Sequence, residues 1–319
     1  MKKLALFITT LLLAASAKAQ LNVYYVNVGQ GDAEYIELPN GSNVLIDGGP
    51  SGAPITKFLK EKGVTKIDHV VLTHPHSDHY AGLKTVFKNF DVKNYYDSKA
   101  ENVGAKGDNN LRELAEAEPG CKIHYPEVGD NLNWDSHVTV KVLNTCSEPV
   151  QLKVNDDVNN CSIVLRLFYN GNGLLFTGDA EAPIENAMMR IFKSGLQSYA
   201  LKVAHHGSRY SSTDKFLDRV QPKVAIIEVG VDNVYGHPHQ EALDRLRAHG
   251  AQIFMTLGKT QTLFLPKPSK GIQPLPVIRP YEPGMQIQPE VENVVYQPPV
   301  EAPASVNGPA LDQLQNSSF

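Results

Sequence analysis

The chain has 319 residues, 42% hydrophobic and 20% charged, a balance that allows one large core or two small ones and excludes a fibre or a membrane protein. Its formal charge is −4, or −7 without the three lysines of the first nineteen residues. An acidic balance argues against a tight, sequence-independent grip on a nucleic-acid backbone unless the charge is very unevenly distributed.

Taken in chain order, Met1-Lys2-Lys3, an apolar run from Leu4 to Ala15 and Ser16-Ala17-Lys18-Ala19 have the layout of a secretory signal. Residues 1–19 are predicted to be removed ahead of Gln20, which places the protein in the periplasm or outside the cell. The apolar run is shorter than the roughly 20 residues that span a bilayer, so no stable membrane insertion is expected. From Leu21 the pattern predicts strands at Leu21–Val28, Ala33–Leu38 and Asn43–Ile46, joined by glycine-containing turns. Ile55–Lys62 suits a helix that stops at Gly63, and Asp68–Leu72 a nearly all-apolar strand. Further strands are expected at His137–Leu143, Ser162–Phe168, Gly173–Phe176, Ala200–Ala204, Lys223–Val229, Gln252–Thr256 and Thr262–Leu265. Helices are expected at Glu185–Lys193, Asp214–Val220 and Gln240–His249. This α/β rhythm closes one domain over residues 20–265. Beyond it lie 11 of the 21 prolines, so residues 266–319 read as a mostly disordered tail. Of Cys121, Cys146 and Cys161, two can pair in an oxidising compartment, and spacing does not choose which.

Chemistry concentrates where buried strands end. Thr73-His74-Pro75-His76-Ser77-Asp78-His79 places three imidazoles and a carboxylate within six residues, and imidazole nitrogen and carboxylate oxygen are preferred zinc ligands. The strand ending at Phe176 runs into Thr177-Gly178-Asp179, where a carboxylate can bridge two cations roughly 3.5–4 Å apart. Leu201-Lys202-Val203-Ala204 leads into His205-His206, one imidazole for a metal and a second for substrate. In Tyr235-Gly236-His237-Pro238-His239, His237 is a candidate for contacting phosphate or a leaving group, while His239 begins a helix.

Together these motifs resemble the metallo-β-lactamase superfamily, with its His-x-His-x-Asp-His, Gly-Asp and later His. More narrowly, Val28-Gly29-Gln30-Gly31-Asp32, Leu45-Ile46-Asp47-Gly48-Gly49, Lys202 to Ser208 and Tyr235 to His239 resemble the hydrolase domain of the ComEC/Rec2 competence proteins. The resemblance implies a four-layer αββα sandwich carrying two divalent metal ions, zinc or alternatively manganese. His74 and His76 would bind the first ion, Asp78 and His79 the second. Asp179 would bridge them, and His205 or His206 would complete the second site. Where many superfamily members carry a further His, this chain has Asp156-Asp157-Val158-Asn159-Asn160, so Asn160 or a neighbouring Asp would approach the first metal weakly. Asp47 would orient a ligand histidine, and Asp32 would do the same or touch substrate; either could instead cap its turn.

The implied reaction is hydrolysis of a phosphodiester by metal-activated hydroxide, with DNA or a cell-envelope polymer as candidate substrates. Asp78, His206 and His237 are the catalytic candidates, and Lys202 or Arg209 would stabilise phosphoryl charge. A β-lactamase or other ester hydrolase is the competing enzyme class, opposed by the bridging Asp179. A binding module without catalysis is the third reading.

Overall fold

The computed structural model describes residues 20–102, 107–146, 151–152, 158–231, 233–267 and 275–284. The predicted signal, Asp156, Asp157 and the chain from residue 285 onward lie outside the described residues.

Two sheets face each other. The first contains β1 (Leu21–Tyr25), β2 (Glu34–Glu37), β3 (Asn43–Ile46), β4 (His69–Val71), β5 (Asn94–Tyr96) and β6 (Lys122–His124). The second contains β7 (Thr139–Asn144), β8 (Val164–Tyr169), β9 (Asn172–Phe176), β10 (Ala200–Lys202), β11 (Val224–Ile227) and β12 (Gln252–Met255). The chain then returns to the first sheet with β13 (Gln261–Leu265) and β14 (Val277–Pro280), giving the order β14-β13-β1-β2-β3-β4-β5-β6 against β7-β8-β9-β10-β11-β12. Each sheet turns from antiparallel to parallel pairing part-way across, between β3 and β4 in the first and between β9 and β10 in the second.

Alternation along the strands builds the layers. Leu21, Val23 and Tyr25 of β1 pack with Val140, Leu165, Leu174 and Phe176 between the sheets, whereas Tyr24 points the other way, toward Phe58. The outer face of the first sheet is covered by α1 (Gly52–Glu61), α2 (Ser77–Tyr80), α3 (Leu83–Asn89) and α4 (Gly107–Ala117), through Ile55, Leu59, Tyr80, Leu83, Val86 and Leu111. That of the second is covered by α5 (Ala182–Phe192), α6 (Asp214–Val220) and α7 (Gln240–Ala248), through Met188, Phe216, Leu217 and Leu246. Burying each such side chain contributes about 1.5–3 kcal/mol, so three apolar layers between four structural ones hold the fold together. The expected αββα sandwich is therefore the observed architecture.

The expected end of the domain at Leu265 needs correction. Val277–Pro280 pairs antiparallel with β13, and Tyr281 packs edge-on against Phe58 and Tyr24, so the proline-rich segment contributes the sheet's edge strand. An edge position tolerates proline because one side of the strand needs no partner. Cys146 and Cys161 form the disulfide and Cys121 is free. Among the described residues, no helix is long and apolar enough to cross a membrane.

Glu185 of α5 joins the helical layer to the loop after His206. Its carboxylate accepts from the Ser212 N–H, the Thr213 N–H (3.0 Å) and Thr213 Oγ1 (2.7 Å). Burial pushes this carboxyl up to about 6, against the lowering effect of those hydrogen bonds. A raised folded-state value favours folding most below about pH 4.5, and that contribution is lost as pH rises through 6. Between those pH values the protein should lose about 2 kcal/mol relative to a Glu185→Gln variant. Parallel urea titrations across pH 4.5–7 check this, and identical slopes for the two proteins would refute it.

Candidate metal centre

Most of the candidate metal ligands follow the carboxyl end of a strand, on one edge of the sandwich. Asp47 follows β3, residues 73–79 follow β4, Asp179 follows β9 and His205-His206 follow β10. The pairings Ile46↔Val71 and Phe176↔Lys202 bring these ends level. Carboxyl ends of neighbouring parallel strands are where open α/β sheets place ligands. Two glycines let the loops close in. A Cβ at Gly31, which has φ +146°, would lie 2.2 Å from the Asp78 carbonyl oxygen, and one at Gly178 (φ +49°) 2.8 Å from Ser162 Oγ.

Hydrogen bonds aim the imidazoles. Asp47 accepts from the Thr73 N–H (2.8 Å), from Thr73 Oγ1 (2.6 Å) and from His79 Nδ1 (2.7 Å). Since the Thr73 hydroxyl proton goes to Asp47, its oxygen is left to accept from His74 Nδ1 at 3.1 Å. His206 Nδ1 lies 2.9 Å from the Glu228 carbonyl, which can only accept, so this nitrogen carries the proton. In all three residues Nε2 is thereby presented as the lone-pair nitrogen. His205 and His206 both take left-handed backbone conformations (φ 48° and 52°), which turn their rings apart from the strand they follow.

The presented atoms converge on Asp179. Its Oδ2 is 3.3 Å from His79 Nε2, 3.6 Å from His206 Nε2 and 3.8 Å from His74 Nε2. His74 Nε2 and His76 Nδ1 are 2.9 Å apart, and His206 Nε2 is 3.3 Å from Asp78 Oδ2. Two adjoining ligand sets result, His74, His76 and Asp179 in one and Asp78, His79 and His206 in the other. Among the described residues, His79 Nε2 and Asp179 Oδ1 are buried without a hydrogen-bond partner. Orphaned polar atoms at the focus of a nitrogen and oxygen donor set fit divalent cations.

Charge is arranged accordingly. Burial opposes protonation of His79 and His206, but Asp179 and the neighbouring carboxylates outweigh it, holding His79 well above the usual histidine range and His206 at about 10. Burial would raise Asp179 too, yet the imidazoles around it, His79 foremost, hold it well below the usual carboxylate range. A divalent cation held here would take the place of the imidazole protons and be balanced by the carboxylates. Behind the cluster, the Lys202 ammonium is ion-paired with Asp32 and donates to the Gly178 carbonyl (3.0 Å).

The structure thus brings together His74, His76, Asp78, His79, Asp179 and His206, and it separates the two adjacent histidines. His206 is buried in the cluster; His205 stands at its mouth with Nδ1 3.0 Å from Glu181 Oε1 and Nε2 4.0 Å from Asp179 Oδ2. His237 lies above both, its ring 5.3 Å from that of His205 and 6.0 Å from that of His206, with Tyr235 stacked on it. Two expectations fail, and one open alternative is decided. Lys202 is 0% exposed and locked to Asp32, so it cannot reach a substrate phosphoryl group. Asp32 is equally buried, 3.2 Å from His206 Nδ1, and supports the ring instead of touching substrate. Asn160 turns its Oδ1 to the Glu181 N–H (3.1 Å), and it is Asn159 that faces His205, at 3.5 Å. Arg209 pairs with Glu241 on the surface. Sequence reasoning missed Glu181, Glu228 and Asn159; only the position of Glu181, two residues after Asp179, offered a signal.

A family model described as the metallo-beta-lactamase superfamily matches residues 26–230. The chain belongs to this superfamily. Its relatives include ComE operon protein 3 of Bacillus subtilis, 31% identical over 250 residues that cover 72% of this chain and 31% of that protein. Competence protein ComA of Neisseria gonorrhoeae is also 31% identical, over 72% of this chain and 30% of that one. The chain therefore spans about a third of the length of these relatives. Among solved structures, the β-hydroxylase CmlA of Streptomyces venezuelae, in mutant form, superposes with a TM-score of 0.50 at 14% identity, covering 76% of this chain and 53% of that one, a likeness of fold alone. The protein is thus a member of a superfamily that includes metal-dependent hydrolases, is related to competence proteins, and carries residues that fit divalent metals.

Proposed function

We propose that the protein is an exported, two-metal phosphodiesterase acting on a phosphate-linked polymer, DNA or an envelope polymer. The observation that carries this is the position of Asp179 Oδ2, within 3.3–3.8 Å of ring nitrogens from both ligand sets. A single carboxylate oxygen so placed suits a pair of cations of like charge. His74 and His76 would hold the first ion, Asp78, His79 and His206 the second, and Asp179 both. Zinc suits the imidazole-rich set, and manganese is the alternative. Such ions acidify water and offset charge on phosphoryl oxygens.

The chain's own groups do the rest. Asp47 and the Glu228 carbonyl hold His79 and His206 in the required tautomers, and Lys202 neutralises Asp32 so that the buried cluster does not repel itself. His237 is pushed down to about 4, first by burial and then by the charges of His206 and His205. A neutral imidazole there can donate one proton to an oxygen at the mouth and accept another. The export reading is supported by the signal-like first nineteen residues and by the Cys146–Cys161 disulfide, which suits an oxidising compartment.

Purified protein supplied with zinc or manganese should hydrolyse bis-p-nitrophenyl phosphate and leave nitrocefin closed. Lactam opening with every phosphodiester intact would replace this reading with the β-lactamase one. A folded sample that retains no metal after equilibrium dialysis would favour a binding module.

A further inference from the structure

Between them, α5 and α6 enclose an open groove of about 740 Å³ lined by Asn186, Met189, Arg190, Lys193, Lys215, Asp218 and Arg219. Four cations thus meet one carboxylate, in a chain whose net charge is −4. The carboxylate is itself engaged, with Asp218 Oδ1 3.2 Å from His249 Nε2. No ion pair involves Arg190, Lys193, Lys215 or Arg219 among the described residues; the same holds for Lys84, Lys88 and Lys223 elsewhere, so it is the meeting of four cations in one groove that sets them apart. Helix dipoles account for only part of this clustering. Arg190 and Lys193 lie at the carboxyl end of α5, where cations are favoured, but Lys215 lies in the first turn of α6, where a cation is disfavoured. Holding unpaired cations close together costs Coulomb energy that a polyanion would relieve.

We propose that this groove binds the phosphate backbone of a polyphosphodiester strand, beyond the linkage that is cut. The inference rests on the phosphodiesterase reading and names the substrate as a strand several linkages long. Both helices begin just after metal-ligating loops, α5 three residues past Asp179 and α6 eight past His206. From Ala182 to Arg190 the helix advances about 12 Å, a span that a single phosphodiester cannot cover and a strand can.

The test compares a single-stranded 12-mer oligodeoxynucleotide with bis-p-nitrophenyl phosphate, using the full chain and a Lys193→Glu/Arg219→Glu variant. The variant should hydrolyse the small diester like the parent, cut the 12-mer about tenfold more slowly in kcat/KM at low salt, and lose about 1.4 from its log–log salt slope, at 0.7 per phosphate contact. Fluorescence anisotropy with the labelled 12-mer should show the same loss of binding. Equal effects on both substrates, or none on the 12-mer, would overturn the proposal. So would a loss of binding to phosphatidylglycerol vesicles without any change toward the 12-mer, which would assign the groove to a membrane surface. If the parent cleaves neither substrate, the phosphodiesterase reading fails, and anisotropy alone decides: binding lost in the variant supports the groove, and a parent that does not bind refutes it.

Discussion

Replacing Asp179 by asparagine is expected to lower kcat/KM for a phosphodiester by about 10³-fold and to reduce bound metal from two ions to one or none. The substitution keeps the shape and removes one negative charge from the point where both ligand sets meet. A unit charge 4 Å from a cation is worth about 4 kcal/mol at an effective dielectric of 20, which corresponds to about three decades. The loss acts on both sites, because Asp179 Oδ2 is close to His74 on one side and to His79 and His206 on the other. The chain should remain folded, since Asp179 contributes no apolar contact to the three core clusters. Metal analysis, circular dichroism and hydrolysis of bis-p-nitrophenyl phosphate measure the three consequences. A variant within tenfold of the parent and still holding two ions would show that the bridge lies elsewhere.

The second large effect concerns stability. Lys202→Met removes the ammonium from the buried Asp32 carboxylate and leaves it only the imidazoles of His206 and His79 as charged neighbours. Breaking one side of a buried ion pair typically costs about 3–5 kcal/mol. Asp32→Asn alone should cost a comparable amount, by leaving the ammonium between Gly178 and Asp179 without its main partner. The Asp32→Asn/Lys202→Met double variant should recover at least about half of the summed loss, because neither charge is then stranded. Denaturant unfolding of the four proteins gives the coupling directly. Simple additivity would mean that the two groups do not act as a pair in the folded state.

Much of this molecule was legible before any coordinates. The run at His74–His79 is readable because all four candidate ligands lie within six residues, so their proximity is guaranteed by chain connectivity. Asp179 and His206 lie on other strands, but each follows a short apolar run, and carboxyl ends of parallel strands converge on one edge. Less legible was the stretch from residue 80 to 130, where Leu83–Asn89, Asn94–Tyr96, Gly107–Ala117 and Lys122–His124 were given no element. Their strands are three residues long and are held by tertiary packing, Tyr95 on Phe87 of α3 and Lys122–His124 on α4, which a short window does not register. Val277–Pro280 was hidden for the opposite reason, since its prolines signal an ending and only an edge position makes them compatible with a sheet.

By itself the sequence carried the resemblance to the superfamily, the four layers that the resemblance implies and the set of candidate metal ligands. The candidate ligands follow from residue chemistry written locally along the chain, and the superfamily and its layers from the resemblance those motifs carry. Tertiary structure alone decided which of His205 and His206 enters the cluster, that Lys202 and Asp32 are buried supports out of reach of substrate, and that Cys146 pairs with Cys161. Each of those outcomes depends on which backbone group or charge lies opposite, as the Glu228 carbonyl does for His206 and the Asp32 carboxylate for Lys202. The partners in these two contacts are 22 and 170 residues apart in the chain, so only the folded sheets bring them within hydrogen-bonding reach.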